Sequence, residues 1–238
     1  MYIYRKLTPI SAITFDLDDT LYDNKPVMDK TEKELLNFIR SYDIRFSTFQ
    51  FNDFKMYQTI ILKKYPDIYH NVTYWRWLAA KLLLLHYGYS YNHAILGANK
   101  IISYFLYWRS QINIPKFTHK ILSYLSKKIP LAVITNGNAN PSVFGLGNYF
   151  QFVLQAGKDG RAKPFSDMYY CASQKFNIKI HSILHVGDSL DTDIQGALDS
   201  GMQACWLNSR KKILSYNKIS NKFPHVEIKC LASLIALI

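Results

Sequence analysis

The sequence predicts an α/β protein: a parallel sheet whose strands alternate with helices, with a helical insertion after the first strand. Three observations predict it. Short apolar runs recur along the chain, and most end in Gly, Asp or Asn, the pattern of buried strands that hand over to loops. Helix-like stretches separate the later runs, which implies parallel strands joined by crossovers and helices on both faces. The stretch from about 26 to 114 lacks this rhythm; it is aromatic, and its apolar residues recur at helical spacing.

Taken in order, residues 10–16 form an apolar run bounded by Pro9 and an acidic cluster, so they read as a buried first strand. In the insertion, Leu35, Phe38 and Ile39, then Trp77, Leu78 and Leu82, then Ile101, Ile102, Phe105 and Leu106 mark inward helix faces. A helix over 117–128 leads to a second strand, Leu131–Thr135, which runs from Pro130 to Asn136-Gly137. Strands over 152–155, 183–186 and 204–207 alternate with helices over 166–176 and 192–200, and Gly201 stands where a helix C-cap belongs. The expected organisation is a catalytic core built from 1–22 and 115–238, with a helical cap domain over 23–114. In open α/β sheets ligands bind beyond the carboxyl ends of the strands, so the insertion is expected to act as a lid there.

At 238 residues and 49% hydrophobic, the chain can bury one large core or two small ones. Its most apolar stretch, near 79–85, is broken by Lys81 and is far too short to span a bilayer. No signal-peptide pattern opens it. Cys171, Cys205 and Cys230 lack metal-ligand spacing and are expected to be buried, reduced thiols of a cytoplasmic protein. The formal net charge is +12. The lysines are dispersed and no basic helix, zinc spacing or RNA-binding signature occurs, so no nucleic-acid or membrane partner is expected; a field that attracts anionic substrates is. The sequence assigns no oligomeric state.

Asp16, Asp18, Asp19 and Asp23 crowd the end of the first strand. Later strand ends bring Thr135-Asn136-Gly137 and Gly187-Asp188-Ser189-Leu190-Asp191-Thr192-Asp193, and Lys163-Pro164 precedes a helix. If the strands are parallel neighbours, these groups converge on one sheet edge. Packed carboxylates repel and need a cation; an all-oxygen donor set suits Mg²⁺. Lysine, a threonine hydroxyl and turn amides bind anions. Together they suit phosphoryl transfer, and without a Ser-His or Cys-His pair the nucleophile is a carboxylate. Asp19 and Asp23 read as turn residues, and Asp191 as a first-turn helix charge. His185, inside a strand, reads as a satisfied core residue.

DLDDT, TNG, KP and GDSLDTD, in this order, resemble the four motifs of the haloacid-dehalogenase-like hydrolases. The resemblance implies a Rossmann-like parallel core with a helical cap after the first strand. It implies that Asp16 is the nucleophile that forms an aspartyl-phosphate and Asp18 the general acid and base. Thr20 would steady the motif turn, Thr135 and the Asn136 amide would bind phosphate, and Lys163 would offset charge on Asp16 and the phosphoryl group. Asp16, the Asp18 carbonyl and Asp188 would hold Mg²⁺, and Asp193 would be either a ligand through water or an orienter of Lys163. Dehalogenases of the superfamily lack the carboxylate that Asp18 supplies, which favours phosphatase chemistry on a small phosphorylated metabolite. The stretches ISAITFDLDDTLYDN, LAVITNGNANP and ILHVGDSLDTDIQGALDSGMQACW are similar to a bacterial subgroup, the YigB-type phosphatases, which implies flavin mononucleotide or the phosphorylated ribitylaminouracil of riboflavin biosynthesis as substrate.

The alternatives are a broad-specificity sugar or nucleotide phosphatase, a phosphomutase using the same phospho-aspartate, and a receiver-like module phosphorylated as a signal. In the insertion, 71–76 and 107–110 pair aromatic rings with arginines. Rings could stack on a heterocycle and a guanidinium hold a carbonyl or second phosphate; the plainer reading is an aromatic core with snorkelling arginines.

Overall fold

The structure, a computed structural model, describes residues 1–209 and 223–238. Its described residues form strands β1 (Tyr2–Ile3), β2 (Ala12–Phe15), β3 (Leu131–Thr135), β4 (Val153–Gln155), β5 (Ile183–Gly187), β6 (Gln203–Leu207) and β7 (Val226–Ile228) in one sheet of order β1-β7-β6-β5-β2-β3-β4. All pairings are parallel except β1 with β7. Every residue of β2, β3, β5 and β6 is buried, the signature of parallel strands covered on both faces. That is why these four read so clearly as apolar runs.

The expected strands all form, with small shifts at their ends. The first is shorter than the run 10–16, because Asp16 already belongs to the turn that follows. β1 and β7 were not expected. One is two residues long and exposed and the other three, too short for period-two alternation to show.

The chain divides into two compact units, Met1–Asp23 with Asn113–Gly137 and Pro141–Ile238, and Asn24–Ile112 with Asn138–Asn140. In the first unit, helix α5 (Lys116–Leu125) stops three residues short of the expected 117–128, and α6 (Asp167–Phe176) ends on left-handed Asn177. The helix expected over 192–200 is two pieces: a π-helical turn at Leu190–Ile194, then α7 (Gln195–Asp199). Gly201 follows with φ +83°, as a C-cap glycine should.

The second unit is helical: α1 (Asn24–Tyr42), α2 (Phe51–Lys64), α3 (Val72–His86) and α4 (Tyr91–Arg109). Leu35 and Ile39 of α1, Ala79, Ala80, Leu83 and Leu84 of α3, and Ile101, Ile102 and Phe105 of α4 are buried in one cluster. The face of α3 is therefore turned from the expected one. Trp77, Leu78 and Leu82 are only partly buried, and the small residues Ala79 and Ala80 meet the neighbouring helices. Arg109 is buried at 2% exposure, so it does not snorkel to solvent.

No described helix is long and apolar enough to cross a membrane. Of the cysteines only Cys205 is buried. Cys171 is partly exposed, and Cys230 is exposed, where it leads into the last helical segment. The three are free thiols, but burial does not account for all of them.

Leu83 is fully buried at the centre of the helical unit. Leu83→Ala is expected to cost about 2–5 kcal/mol, measured as a lowered denaturation midpoint in urea followed by far-ultraviolet circular dichroism.

Candidate active site

Register decides which side chains meet. Phe15 pairs with Val133 on one side and Val186 on the other, so β2, β3 and β5 end level. The chain goes from β2 to β3 on one flank and returns to β5 on the other, which makes the end of β2 a switch point with an open crevice. Asp16, Thr135 and Asp188 stand at these three ends. The Asp16 N–H bonds to the Val186 carbonyl at 2.9 Å, continuing the ladder one step beyond the strand.

Lys163 enters from the segment before α6. Its ammonium donates three hydrogen bonds: to Asp16 Oδ1 (2.6 Å), Asp193 Oδ1 (2.7 Å) and the Ile134 carbonyl (2.7 Å). Those account for all three of its protons. The main chain of Lys163 is clamped by the Asn136 side chain, whose Oδ1 accepts from Lys163 N (2.7 Å) and whose Nδ2 donates to Lys163 O (3.0 Å). The side-chain amide of Asn136 is therefore engaged by the lysine segment. Thr135 Oγ1 accepts from the Gly137 N–H at 3.0 Å and shapes the same turn.

Asp193 reaches inward because the chain makes a π-helical turn. The N–H groups of Asp193 and Ile194 both bond to the Ser189 carbonyl, and the Ser189 N–H bonds to Asp193 Oδ2 at 3.0 Å. Such turns are rare and often mark functional positions. A Cβ on Gly187 would collide with the Asp193 carboxylate, so only glycine lets the two approach. Oxygen atoms of Asp16, Asp188 and Asp193 lie within 4.8 Å of one another. Asp18 is not part of that carboxylate group; its side chain accepts from the Tyr22 hydroxyl. Asp188 is held through its carbonyl, which accepts from the Trp206 indole at 2.9 Å. Thr20 Oγ1 lies 3.4 Å from Asp16 Oδ2, a long contact, while the Thr20 N–H bonds to the Leu17 carbonyl in the turn. Asp19 occupies that turn with φ 60°, a conformation Asp tolerates better than most residues.

The charges of Asp16, Lys163 and Asp193 do not balance among themselves. Burial alone would depress Lys163, but Asp16 and Asp193 outweigh it and hold its pKa above the ordinary value. Burial would raise Asp193, yet Lys163 and His185 keep it well below the carboxylate range. Burial pushes Asp16 up to about 8; Lys163 opposes this, while Asp193 and Asp18 add to it. One lysine thus satisfies Asp193 and leaves Asp16 short of positive charge. The converging carboxylates of Asp16, Asp188 and Asp193 fit a hard divalent ion.

Sequence reasoning missed three contributors. Tyr22, four residues after Asp18, orients that carboxyl, and the pair is visible in DLDDTLY once the turn is known. The clamp by the Asn136 side chain left no sequence signal. His185 is indeed buried and bonded, to Thr14 Oγ1 at 2.9 Å, but its other nitrogen lies 3.5 Å from Asp193 Oδ1. Burial lowers its pKa, so it stands neutral behind the site.

A profile of the haloacid dehalogenase-like hydrolases matches residues 10–201. The chain belongs to that family. It is 50% identical over 238 residues, all of both chains, to the 5-amino-6-(5-phospho-D-ribitylamino)uracil phosphatase YigB of Escherichia coli (strain K12). It is 24% identical to the human N-acylneuraminate-9-phosphatase, over 98% of this chain and 95% of that one. Among solved structures, one described as a 2-haloacid dehalogenase from Pseudomonas syringae pv. Tomato DC3000 superposes with a TM-score of 0.90 at 30% identity, covering 96% of this chain and 97% of its own.

Two outcomes follow from this geometry. Burial biases Asp16 of the metal-free chain toward its protonated form, and a bound cation requires the carboxylate. Mg²⁺ binding at pH 7 is therefore expected to release about one proton, and fewer above pH 8; calorimetric titration in buffers of different ionisation heat measures this. Tyr22→Phe removes the bond that orients Asp18 and is expected to lower kcat about tenfold, the value of roughly one hydrogen bond, with KM nearly unchanged in steady-state assays.

Proposed function

We propose that this chain is a Mg²⁺-dependent phosphomonoesterase that works through an aspartyl-phosphate on Asp16. The observation that carries the reading is the buried Asp16–Lys163–Asp193 triad at the switch point, with Asp18 two residues beyond the nucleophile. Asp16 attacks phosphorus in line, and the ester oxygen leaves with a proton from Asp18. Asp18, now a carboxylate, takes a proton from water as that water attacks the phospho-aspartate, which frees inorganic phosphate and restores Asp16. Tyr22 fixes the direction of the Asp18 carboxyl in both halves. Thr135 and the Asn136 amide hold the phosphoryl oxygens, Thr20 and Asp193 keep Asp16 and Lys163 in place, and the Lys163 charge offsets the developing negative charge. Asp16, Asp188 and the Asp18 carbonyl would hold the Mg²⁺, with the Asp193 carboxylate close by. When bound, the ion supplies the second positive charge that Asp16 lacks and polarises the phosphoryl group.

The substrate we assign is a small phosphorylated metabolite of riboflavin biosynthesis, either 5-amino-6-(5-phospho-D-ribitylamino)uracil or flavin mononucleotide. The full-length 50% identity to the E. coli phosphatase supports it. Residues 1–22 with 115–238 serve as the catalytic core and 23–114 as the cap that selects the substrate. The enzyme works in the cytoplasm, in keeping with its free thiols, and needs neither nucleic acid nor membrane. A dehalogenase reading has one observation in its favour, the superposition on the Pseudomonas structure. Asp18 weighs against it, since displacement of halide needs no acid to protonate a leaving alcohol.

The test is phosphate release from flavin mononucleotide, the ribityl phosphate and a panel of sugar and nucleotide monophosphates, with Mg²⁺ or chelator. Release that needs Mg²⁺, disappears in Asp16→Asn and falls about 10²–10⁴-fold in Asp18→Asn is expected, with highest kcat/KM on the two pathway compounds. Even rates over the panel would retain the chemistry and overturn the pathway. Wild-type turnover in Asp16→Asn would overturn the mechanism.

A further inference from the structure

Two polar side chains stand opposite each other inside the sheet. Thr14 of β2 and His185 of β5 are register partners, and both are fully buried. The Thr14 hydroxyl and His185 Nδ1 lie 2.9 Å apart. The other ring nitrogen, Nε2, faces Asp193 Oδ1 at 3.5 Å. That same oxygen accepts from Lys163 at 2.7 Å. The imidazole also meets the ring of Tyr169 edge-on, with centroids 5.1 Å apart, and the Tyr169 hydroxyl donates to the Thr192 and Asp193 carbonyls. Apolar side chains would fill these two positions of a doubly covered parallel sheet without burying any polar group. Packing alone therefore gives no reason for the pair.

The hydrogen bonds fix where the ring carries its proton. A buried hydroxyl needs an acceptor, and among the described residues the Thr14 hydroxyl bonds only to His185 Nδ1. Nδ1 is then the bare nitrogen, and the proton sits on Nε2, pointed at Asp193. The opposite tautomer would strand the Thr14 proton and aim a lone pair at a carboxylate. At 3.5 Å the contact is long for a hydrogen bond, so its sign matters more than its length: in a buried site an N–H dipole attracts the carboxylate and a lone pair repels it. We propose that Thr14 and His185 are positioning residues for the phosphoryl transfer: Thr14 sets the tautomer of His185, and the Nε2–H takes up part of the Asp193 charge, so that Lys163 stays centred between Asp193 and Asp16. Without that donor Asp193 would draw the ammonium toward itself and away from Asp16. The kinetic consequence rests on the functional reading above; the tautomer does not.

Two variants separate this role from plain support of the sheet. His185→Gln puts an amide N–H near the Nε2 position, where it serves Asp193. His185→Asn reaches only the Nδ1 position, where it serves Thr14. Positioning predicts that kcat on flavin mononucleotide falls about tenfold in His185→Asn and clearly less in His185→Gln, with KM nearly unchanged in both. A merely structural pair predicts the reverse order, because asparagine keeps the cross-strand bond and glutamine loses it. Circular dichroism and melting temperature check that both variants are folded. A second arm uses the wild-type chain and needs neither metal nor turnover. Heteronuclear NMR of the histidine-labelled protein at neutral pH distinguishes a protonated from a bare ring nitrogen, and the signals that vanish in His185→Asn, or in His185→Gln, belong to His185. A protonated Nε2 and a bare Nδ1 are expected. A proton on Nδ1, or turnover by His185→Asn equal to or faster than that of His185→Gln, would overturn the proposal. The expected tautomer in a chain that hydrolyses no phosphoester would keep the Thr14–His185 assignment and overturn the phosphatase reading instead.

Discussion

A single buried ammonium is shared between two carboxylates, and much of the catalytic unit is arranged around that sharing. Lys163 is about as buried as a charge can be, at 3% exposure, and so is Asp193, at 1%. Charges so removed from water persist only when paired and hydrogen-bonded at close range. The level ends of β2, β3 and β5, the Asn136 clamp on the lysine main chain, the π-helical turn and the missing Cβ at Gly187 each bring one partner within 2.7 Å of the Lys163 ammonium or keep it there. The result is asymmetric. Asp193 receives Lys163, a backbone N–H and an imidazole behind it, while Asp16 receives Lys163 and one distant hydroxyl.

That asymmetry separates the two acids into different roles, a recurring device in sites built from like groups. Asp193 is fully engaged and permanently charged; it behaves as a fixed counter-ion for Lys163. Asp16 is under-compensated, and a second cation and a phosphoryl group can both gain by approaching it. The proposed function accordingly gives Asp16 both the ligand and the nucleophile role. A carboxylate stabilised as thoroughly as Asp193 would be a poor attacker, because its lone pairs are already committed.

The legible parts of this structure are those fixed by local chemistry. β3 and β5 stand out in the sequence because a doubly covered parallel strand must be apolar at every position, and a site at a strand end follows directly from that. Asp16, Thr135 and Asp188 were placed at strand ends that way. What stayed hidden depends on contacts between segments distant in the chain. Nothing near Asn136 indicates that its side chain faces Lys163 rather than a ligand, and nothing near His185 indicates that Asp193 will fold back beside it. β1 and β7 were invisible because two and three residues carry no periodicity. The inward face of α3 was misjudged because large residues were weighted above Ala79 and Ala80, whereas close helix packing favours the small ones.

The scaffold by itself does not choose the reaction. A structure described as a dehalogenase shares nearly the whole fold at a TM-score of 0.90, and the E. coli relative at 50% identity is a phosphatase. Fold is compatible with both, so the distinction has to come from side chains. In the proposed function, Asp18 is the decisive one. Halide is a stable leaving group that departs without a proton; an alkoxide is a strong base and needs one in the transition state. In the proposed function, the group that supplies that proton is the Asp18 carboxyl, which lies outside the Asp16–Asp188–Asp193 group and accepts from the Tyr22 hydroxyl.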